Sequence, residues 1–517
     1  MLVDARTVPE NAVIEADVCI VGAGAAGITL AREFVGKPFR VCLLESGGFE
    51  FDEKTQDLYR GESIGVHLPL NVMRLRYFGG STNHWGNYCG PLDDVDFEAR
   101  EWVPHSGWPF KKSHLNPFYE RAQAVCQLGP FRYEAEFWES KNSPRLPFVD
   151  SCVSTSIFQT RQPAIRFGMV YREEILKASN ITTMLNASVL NVESDYTART
   201  VTRLRVGRFQ SKPFAVTAKV FILAAGAIEN ARLLLISNDV IRNGLGNQNG
   251  LVGRFFMSHA ICSPALFLPS DPLLPATLYM NSKPPLDNLR VTGHLTLSSE
   301  TQREHKLLNF NAVLSPVYVA QTGLMSLKRL MNRDFDSLAK DLKNIISDMD
   351  GVAKATYWKL FKGIIPVQAY SLTTAIEQTP NPESRVSLSA ERDAFSIPRV
   401  RIDWRLAPVD RWSLRRSLEI LATQLGRAGL GRLRIDLNDH DQSWPDVLRD
   451  AGHHIGTTRM HLDSKKGVVD ENCRVHGMSN LFVAGSSVFP TSGHANPTLT
   501  LVALALRLAD RVKGMMS

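Results

Sequence analysis

Three separate segments of the chain share one pattern of apolar and small residues. In each, a short apolar run leads into a glycine-containing turn, and apolar residues at helical spacing follow. A buried parallel strand that connects through a turn to a helix has this pattern. The three predicted strand–turn–helix units are DVCIVGAGAAGITLAREF (17–34), KVFILAAGAIENARLLL (219–235) and NLFVAGSSVFPTSGHANPTLTLVALALRLADRV (480–512).

The residues between these units follow other patterns. Alternating apolar and polar positions in RVTGHLTLS (290–298) and NFNAVLSPV (309–317) predict antiparallel strands, and similar runs return over 369–406. Residues 325–362 mix charged and apolar positions at helical spacing, which predicts a solvated pair of amphipathic helices. A lid or a membrane-surface element is the alternative interpretation of that stretch.

The first unit has the spacing of a dinucleotide-binding turn. Gly22, Gly24 and Gly27 follow an apolar strand and open a helix, and a second apolar run, 39–44, ends in Glu45. Such glycines allow a pyrophosphate to approach the backbone, and the helix N-terminus offers it free N–H groups. Glu45 can accept hydrogen bonds from ribose hydroxyls. The strand–helix–strand context favours a dinucleotide over a purely structural glycine-rich turn.

Composition and charge exclude several classes of protein. Of 517 residues, 44% are hydrophobic and 21% are charged, which are ordinary values for a globular chain. The net charge is +7, but no basic run is interleaved with aromatic residues, so no nucleic-acid partner is predicted. No apolar run reaches the length of a membrane span, and no secretory signal is visible. The seven cysteines form no CxxC pair, so we expect no zinc or other metal site and a cytoplasmic location.

Five motifs in order carry a resemblance to a known family. They are the glycine motif at 17–27, GGSTNHWG (79–86), FILAAGAIENARLLL (221–235), HHIGTTRM (453–460) and NLFVAGSSVFPTSGHANPTLT (480–500). Together they resemble the glucose–methanol–choline (GMC) oxidoreductases, flavoproteins that oxidise alcohols. Their spelling is most similar to the branch that contains pyranose oxidases and sugar or glycoside 3-oxidases and dehydrogenases. The resemblance implies FAD rather than NAD, in agreement with the second glycine turn and the closing C-terminal strand and helix.

The predicted fold is therefore α/β (α+β overall). A Rossmann-like FAD-binding domain is built from discontinuous segments, and an antiparallel-sheet-plus-helices substrate domain is inserted between them. We assign residues 1–115, 186–260 and 445–517 to the FAD-binding domain, and residues 116–185 and 261–444 to the substrate-binding domain. The stretch EQTPNPESRVSLS within the second set resembles the substrate-domain sheet of the family.

The resemblance also implies which residues contact the cofactor. His84 and Trp85 stand where pyranose oxidases attach FAD covalently through histidine, but relatives with noncovalent FAD carry the same pair, so both forms of attachment stay open. The full set of implied cofactor contacts is Gly22, Gly24, Ala25, Ala26, Gly27, Glu45, Ser46, Gly80, Ser81, Asn83, His84, Trp85, Val189, Ala225, Gly226, Gly485, Ser486, Asn496, Pro497 and Thr498.

Alcohol oxidation needs a base for the hydroxyl proton while flavin N5 takes the hydride. Histidine suits this role because its ordinary pKa of about 6.5 lies near working pH. The resemblance aligns His453 with the family's catalytic histidine, with His454 as the alternative register, and it aligns Asn496 with the second catalytic position. Asn496 before Pro497 also has the pattern of a helix N-cap, which competes with a catalytic role. Weaker candidates for substrate contact are His454, His494 and Gln378.

These expectations combine into one predicted activity with stated alternatives. The chain is expected to oxidise a CH–OH group to a carbonyl, on a secondary hydroxyl of a sugar or glycoside. The alternatives are oxidation of a non-sugar alcohol, a lyase of the same fold with a bystander flavin, or a noncatalytic FAD sensor. The electron acceptor is expected to be oxygen, a quinone or a separate redox protein, since the chain has no CxxCH haem motif.

Overall fold

Four sheets and a set of surrounding helices make up the structure. The computed structural model describes residues 1–280, 287–318, 321–362, 365–437, 444 and 448–517. A six-stranded sheet, which we call the parallel sheet, lies beside an eight-stranded antiparallel one, which we call the large sheet. This mixture of parallel and antiparallel sheets confirms the predicted fold class.

The parallel sheet contains the predicted strands of all three strand–turn–helix units. Its strands are fully buried apolar runs such as VCIV and VCLL, as expected for a sheet covered on both faces. Each neighbouring pair is parallel, so the carboxyl ends of the strands meet at one edge. In spatial order the strands are Leu2–Asp4, Ile181–Leu185, Val41–Leu44, Val18–Val21, Val220–Leu223 and Leu481–Val483.

The large sheet is antiparallel throughout and includes the predicted strands near 290–298 and 309–317. Its main path runs through Gly431–Ile435, Ala260–Pro269, Val367–Ile376, Phe310–Tyr318, Leu289–Leu297, Val153–Arg161 and Tyr88–Cys89. The short strand Arg449–Asp450 also pairs with Ala260–Pro269, and so brings the chain just before His453 against this sheet.

Two smaller sheets complete the strand content. One contains Val13–Glu15, Ser211–Thr217, Val201–Arg208 and Ser188–Ser194, and the other contains Arg385–Arg392, Pro398–Trp404 and Gly61–Gly65. Residues 61–65 and 88–89, which we assigned to the FAD-binding domain, thus pair with strands assigned to the substrate-binding domain. The division into two domains stays a prediction.

The helices follow the predicted order with one difference. The C-terminal helix packs against Ala25–Glu33, the helix that follows the first glycine turn. Residues 321–362 form three helices rather than the predicted pair, because the chain turns at 332–337 and again at Asp348. The α-helices are Ala25–Glu33, Glu53–Gln56, Leu70–Met73, Asp94–Phe97, Lys112–Val125, Ala135–Trp138, Phe167–Val170, Arg172–Lys177, Ala227–Ile236, Ser299–His305, Gln321–Met331, Leu338–Ser347, Met349–Lys362, Pro408–Arg427 and Thr498–Met516.

The described residues contain neither a helix suited to cross a membrane nor a cluster of metal ligands. None of their helices combines the length and the apolar character that crossing a bilayer demands. Among the same residues, no group of three or more histidine, cysteine, aspartate and glutamate side chains is placed to hold a metal ion.

Candidate active site

A cavity of about 540 Å³ lies at the carboxyl edge of the parallel sheet. The residue or turn that follows five of the six strands forms part of its wall, and four of these strands contribute predicted site residues. Ligands of open α/β sheets bind at this edge, because the loops that leave the strands converge there. The wall residues that follow these four strands are Gly22, Gly24, Glu45, Ser46, Ala225, Gly226, Gly485 and Ser486.

The glycines of the first turn have different structural roles. A Cβ atom at Gly27 would lie 1.8 Å from the carbonyl oxygen of Gly22, so Gly27 allows the helix to pack on the turn. Gly22 itself has a φ of +100°, which favours glycine. A Cβ atom at Gly24 would meet nothing within 4 Å, and Gly24 lines the cavity. The backbone at Gly24 is therefore open to a bound group.

Glu45 is buried at the end of its strand and lines the cavity. Its carboxylate accepts hydrogen bonds from the backbone N–H groups of Ala23 (2.9 Å) and Gly47 (3.0 Å). Burial raises the pKa of this carboxyl, while these two hydrogen bonds and the charge of Arg76 oppose the increase. A carboxylate has about four acceptor positions, so Glu45 retains capacity for a further donor such as a hydroxyl group.

A buried ionic cluster forms another part of the cavity wall. Glu229 pairs with Arg74 at 2.9 Å and with Arg76 and Arg232 at 3.3 Å, and Arg232 also pairs with Asp393 at 2.6 Å. Burial alone would raise the pKa of Glu229, but the three guanidinium groups overcome it and hold the pKa at about 2. Sequence reasoning missed this cluster because its members come from three distant segments and match no local motif.

His453 and Asn496 meet at the cavity wall although 43 residues separate them. Nε2 of His453 lies 3.3 Å from Nδ2 of Asn496. On its other side, Nδ1 of His453 lies 2.9 Å from Nδ1 of His259, a residue that the sequence analysis did not select. The backbone N–H of His453 donates to the hydroxyl of Ser258 at 3.2 Å.

The hydrogen-bond pattern determines which imidazole nitrogens carry protons. Nε2 of His259 faces the carbonyl oxygens of Gly493 (2.9 Å) and Ser492 (3.4 Å), which can only accept. This nitrogen must therefore carry the proton of a neutral imidazole, and Nδ1 of His259 is an acceptor. Nδ1 of His453 then donates to it, so the lone pair of neutral His453 is on Nε2, beside Asn496.

Both histidines are neutral because burial disfavours their charged forms. Burial, and secondarily the nearby His259, lowers the pKa of His453 to about 3. Burial likewise lowers the pKa of His259 to about 4. The expectation that the ordinary histidine pKa near working pH applies to His453 was therefore wrong. The reason is desolvation, which depends on segments far away in the chain.

His454 also lines the cavity but is bonded differently. Its Nε2 lies 3.1 Å from Asp450, and its carbonyl oxygen accepts a hydrogen bond from the Ser486 hydroxyl at 2.6 Å. Asp450 accepts further hydrogen bonds from the Ser258 hydroxyl and from the backbone of Gly452 at 3.1 Å. His454 is therefore anchored to a carboxylate, whereas the ring of His453 forms no hydrogen bond with any acidic side chain of the described residues.

Asn496 is not the cap of the C-terminal helix, which corrects the competing interpretation of the sequence. The helix begins at Thr498 with Pro497 in the capping position, and no side chain makes a capping hydrogen bond. The predicted helix began one residue earlier, at Pro497. Asn496 instead places its amide beside His453, and Asn496, Pro497 and Thr498 all line the cavity.

Comparison with known proteins identifies the family. The sequence signature described as GMC oxidoreductase matches residues 380–505, which include His453 and Asn496. Relatives at 24% identity include the 6'''-hydroxyparomomycin C oxidase of Streptomyces lividus, aligned over 96% of this chain and 91% of its own length. Residues 380–505 therefore match the C-terminal region of the GMC oxidoreductases. The predicted resemblance is thereby confirmed, and the protein is an oxidoreductase that acts on CH–OH groups.

Two further relatives align with nearly the whole of this chain. The fructose dehydrogenase large subunit of Gluconobacter japonicus is 24% identical over 97% of this chain and 98% of its own length. The solved structure of pyridoxine 4-oxidase from Mesorbium loti superposes with a TM-score of 0.56 at 19% identity, over 96% of this chain and 99% of that chain. At that identity the structural likeness shows a shared fold.

The match to the GMC oxidoreductases implies FAD, and the cavity residues fit that cofactor. The open backbone at Gly24 lies beside Ala25 and Ala26, the first residues of a helix whose free N–H groups suit a phosphate. Val189 lines the same cavity as Glu45. These residues would hold FAD, while His453 and Asn496 line another part of the wall.

The GGSTNHWG motif of this GMC oxidoreductase contributes several wall residues. Gly80, Ser81, His84 and Trp85 line the cavity, and the indole N–H of Trp85 donates to the carbonyl of Ile165 at 2.6 Å. Burial, and then the charge of Arg166, lowers the pKa of His84.

Four predicted site residues lie outside the cavity wall, where they have other contacts. The side chain of Asn83 donates to the carbonyl of Phe78 at 3.0 Å, and Gly27 packs against the turn. Gln378 is fully buried, accepts from the backbone of Ser258 at 3.1 Å and from Trp404 at 2.9 Å, and donates to the carbonyl of Arg405 at 2.8 Å. The fourth is His494, which lies beside Asp93.

His494 belongs to a second buried network. Its Nε2 lies 3.0 Å from the carboxylate of Asp93, and its Nδ1 lies 3.1 Å from the amide of Asn311. Asn311 in turn accepts from Nδ1 of His294 at 2.7 Å, and Nε2 of His294 lies 3.1 Å from the hydroxyl of Tyr88. Tyr88 lines the cavity, so this network connects His494 to that wall through Asn311 and His294.

Proposed function

We propose that this GMC oxidoreductase oxidises a secondary hydroxyl group of a sugar or glycoside to a carbonyl, with His453 as the base. One observation carries the proposal. The unprotonated Nε2 of His453 and the amide of Asn496 lie 3.3 Å apart in the wall of one cavity. When bound there, FAD would supply the acceptor for the hydride of the carbinol carbon.

His453 and Asn496 would divide the handling of the substrate oxygen between them. The lone pair on Nε2 would accept the hydroxyl proton, and the Asn496 amide would donate to the same oxygen. Their mutual distance of 3.3 Å is long for a hydrogen bond, so a substrate oxygen can compete for both groups. Because the pKa of His453 is low, the proton would move only as the carbonyl forms.

Neighbouring groups would stabilise the imidazolium that results from this proton transfer. Nδ1–H of His453 keeps its acceptor, Nδ1 of His259, in both protonation states of His453. The negative charge of Asp450 acts to raise the pKa of His453, against the larger effect of burial. The His259 acceptor and the charge of Asp450 would therefore both stabilise protonated His453 more than apolar neighbours would. Neither changes the neutral resting state.

The helix Thr498–Met516 would contribute through its N-terminus. A long helix carries roughly half a positive charge at that end, and residues 496–498 place this end at the cavity wall. We expect this charge to favour negative charge that develops on a group bound there.

Support for a sugar or glycoside comes from the relatives rather than from particular wall residues. The two relatives described above are named as oxidoreductases of an aminoglycoside and of fructose, and they align over nearly the whole chain. Covalent attachment of FAD through His84 is a separate part of the proposal, supported by the place of His84 in the wall. Acid precipitation tests it, because covalent FAD stays with the pellet and noncovalent FAD is released.

Anaerobic mixing of the FAD-loaded protein with a panel of sugars, glycosides and simple alcohols tests the function. We expect sugars or glycosides to bleach the visible flavin absorbance and NMR of the product to show a ring ketone. Reoxidation by oxygen and by a quinone, run in parallel, identifies the acceptor. Bleaching by sterols or aryl alcohols alone would overturn the substrate class, and cyanohydrin cleavage with unchanged flavin would indicate a lyase.

A further inference from the structure

The helical segment 321–362 has an unusually apolar surface. The described part of the chain has 25 exposed large apolar side chains, and ten of them lie within this segment of 42 residues. We call these ten residues the apolar patch. They are Met325, Met331, Phe335, Leu338, Leu342, Ile346, Met349, Tyr357, Leu360 and Phe361.

The three helices of the segment also have a distinct inner face. Arg329 on the first helix pairs with the fully buried Asp341 on the second. The backbone of Gly323 lies 3.4 Å from the Asp348 carboxylate, and Val352 and Ala355 of the third helix are buried. The helices therefore pack against one another through these buried groups, and the ten exposed residues of the apolar patch are not among them.

The second helix shows the arrangement most clearly. Leu338, Leu342 and Ile346 recur every four residues, so they form one stripe along Leu338–Ser347, with exposed fractions of 44%, 46% and 69%. Lys343 is exposed at the edge of the polar side of this helix, and Lys340 is exposed on the side opposite the stripe. An apolar stripe opposite a lysine-bearing polar side is the pattern of a helix that lies in a membrane interface, where lysine stems extend toward the headgroups.

Unpaired positive charge surrounds the patch. Six exposed cations of the segment form no ion pair with any carboxylate of the described residues: Lys328, Arg333, Lys340, Lys343, Lys354 and Lys359. The exposed carboxylates of the segment are Asp334, Asp336 and Asp350. The surface thus has an excess of positive charge, in line with the net charge of +7 of the whole chain.

We propose that the apolar patch docks on an anionic lipid surface, with the helices lying in the interface and the cations at the headgroups. A lipid surface satisfies both properties of the patch, since acyl chains cover the apolar side chains and anionic headgroups neutralise the lysines. A two-fold contact with a second copy would bring the same lysines near one another, and like charges would oppose it. The charge therefore favours lipid over self-association.

The patch is attached far from the candidate active site. Its helices connect the end of Phe310–Tyr318 to the start of Val367–Ile376. At the other end of these strands, Phe310 pairs with Ile376, and Ile376 pairs with Ala260, the neighbour of His259. Roughly 25 Å of strand separates the two ends, so a lipid-facing patch leaves the cavity wall unchanged.

Flotation of the FAD-loaded protein with vesicles tests the proposal. We expect binding to vesicles of phosphatidylcholine and phosphatidylglycerol, weaker binding to phosphatidylcholine alone, and loss of binding at high salt. Each cation near such a surface contributes about fivefold to partitioning, so Lys340→Glu/Lys343→Glu should bind at least about tenfold more weakly. Leu342→Gln/Ile346→Gln should also lose most of its binding, because it removes the apolar anchors.

Matched substitutions elsewhere control for general effects of charge and polarity. Lys37→Glu/Lys141→Glu and Val149→Gln/Met169→Gln change exposed residues outside the patch and should bind as the unmodified protein does. Circular dichroism checks that every variant is folded. Absent binding to anionic vesicles, or equal loss in the control variants, would overturn the proposal. The proposal would also be overturned if the unmodified protein did not bind vesicles and sedimentation velocity showed a dimer that is lost in Leu342→Gln/Ile346→Gln.

Discussion

Two buried histidines near the end of the chain have pKa values that are shifted in opposite directions. The ring of His453 contacts another neutral imidazole and an amide, and burial lowers its pKa to about 3. Burial would also lower the pKa of His494, but the carboxylate of Asp93 at 3.0 Å outweighs it, and the pKa of His494 is raised. Similar burial thus accompanies opposite shifts in pKa, downward for the ring at the cavity wall and upward for the ring in the second buried network.

One loop serves both histidines. The carbonyl oxygens of Ser492 and Gly493 accept from His259 and so determine the tautomer of His453, while Asn496 approaches its Nε2. Between these residues, His494 points to the other network. The contrast shows that the partner of each ring, rather than its depth in the protein, decides which histidine can act as a base.

The largest effect is expected when the proposed base itself is removed. His453→Gln should lower kcat/KM for the substrate by about 10³-fold, within the range for loss of a general base. His454→Gln is the matched control, because it changes the adjacent residue that is anchored to Asp450. We expect it to cost less than about tenfold. Anaerobic flavin reduction measures both, and a larger loss in His454→Gln would assign the base to His454.

The second effect concerns the acceptor that holds the tautomer of His453. His259→Leu removes the acceptor of Nδ1–H, so the proton can occupy Nε2 and block the lone pair. We expect kcat to fall about 10- to 100-fold with KM nearly unchanged, since a wrong tautomer removes the base without affecting binding. His259→Gln can accept from His453 and donate to Gly493, so it should recover most of the rate. Equal losses in both variants would mean that His259 only fills space.

Sequence reasoning succeeded where local pattern and chemistry coincide. The glycines at 22, 24 and 27, with Glu45 after the second strand, determine a strand–turn–helix with a cavity at its turn, and the structure places these elements as predicted. His453 and Asn496, which lie together in the cavity wall, were selected through motifs that include their neighbours, and their catalytic role stays a prediction. In each case the relevant signal lies within about 20 residues.

Other features depend on pairing between distant segments and had no local signal. His259 is one of 13 histidines and directly precedes a strand, and the pairings of Met257 with Ile455 and of Ala260 with Asp450 bring it to His453. The lowered pKa values depend on the same burial. The sequence pattern also assigned Asn496 to the helix cap, because it cannot show that the amide has a better partner across the cavity.

The third effect tests the structural histidine by removing its counter-charge. Asp93→Asn keeps a side chain that can cap the helix Asp94–Phe97 but leaves His494 without its ion pair. We expect a loss of about 1–2 kcal/mol in the free energy of unfolding, below the value for a fully buried pair because Asp93 is 35% exposed. Asp94→Asn, at an exposed neighbour, should change it by less than about 0.5 kcal/mol.

Urea unfolding at several pH values measures how the stability lost in Asp93→Asn depends on pH. Because the folded-state pKa of His494 is raised, its contribution to stability is complete below about pH 6.5 and declines as pH rises through the folded-state pKa. The difference between the unmodified protein and Asp93→Asn should therefore be largest between about pH 4 and 6.5, because the lowered pKa of Asp93 makes its own contribution decline again below the ordinary carboxyl pKa. A difference that grows toward alkaline pH would contradict a raised pKa at His494. The kcat of the folded variant should be unchanged.

The smallest expected change is in the pH dependence of catalysis, where the two histidines again differ. With a pKa of about 3, His453 is already unprotonated at pH 5, so kcat/KM should show no acid limb near pH 6.5. Stability should behave differently, because an unfolded histidine binds its proton at about pH 6.5 while folded His453 does not until about pH 3. Its contribution to stability is therefore complete above pH 6.5 and is lost as pH falls toward 3. Anaerobic flavin reduction from pH 5 to 8, in parallel with urea unfolding, separates the two effects. A kinetic pKa near 6.5 that disappears in His453→Gln would show that the loaded cavity restores an ordinary histidine.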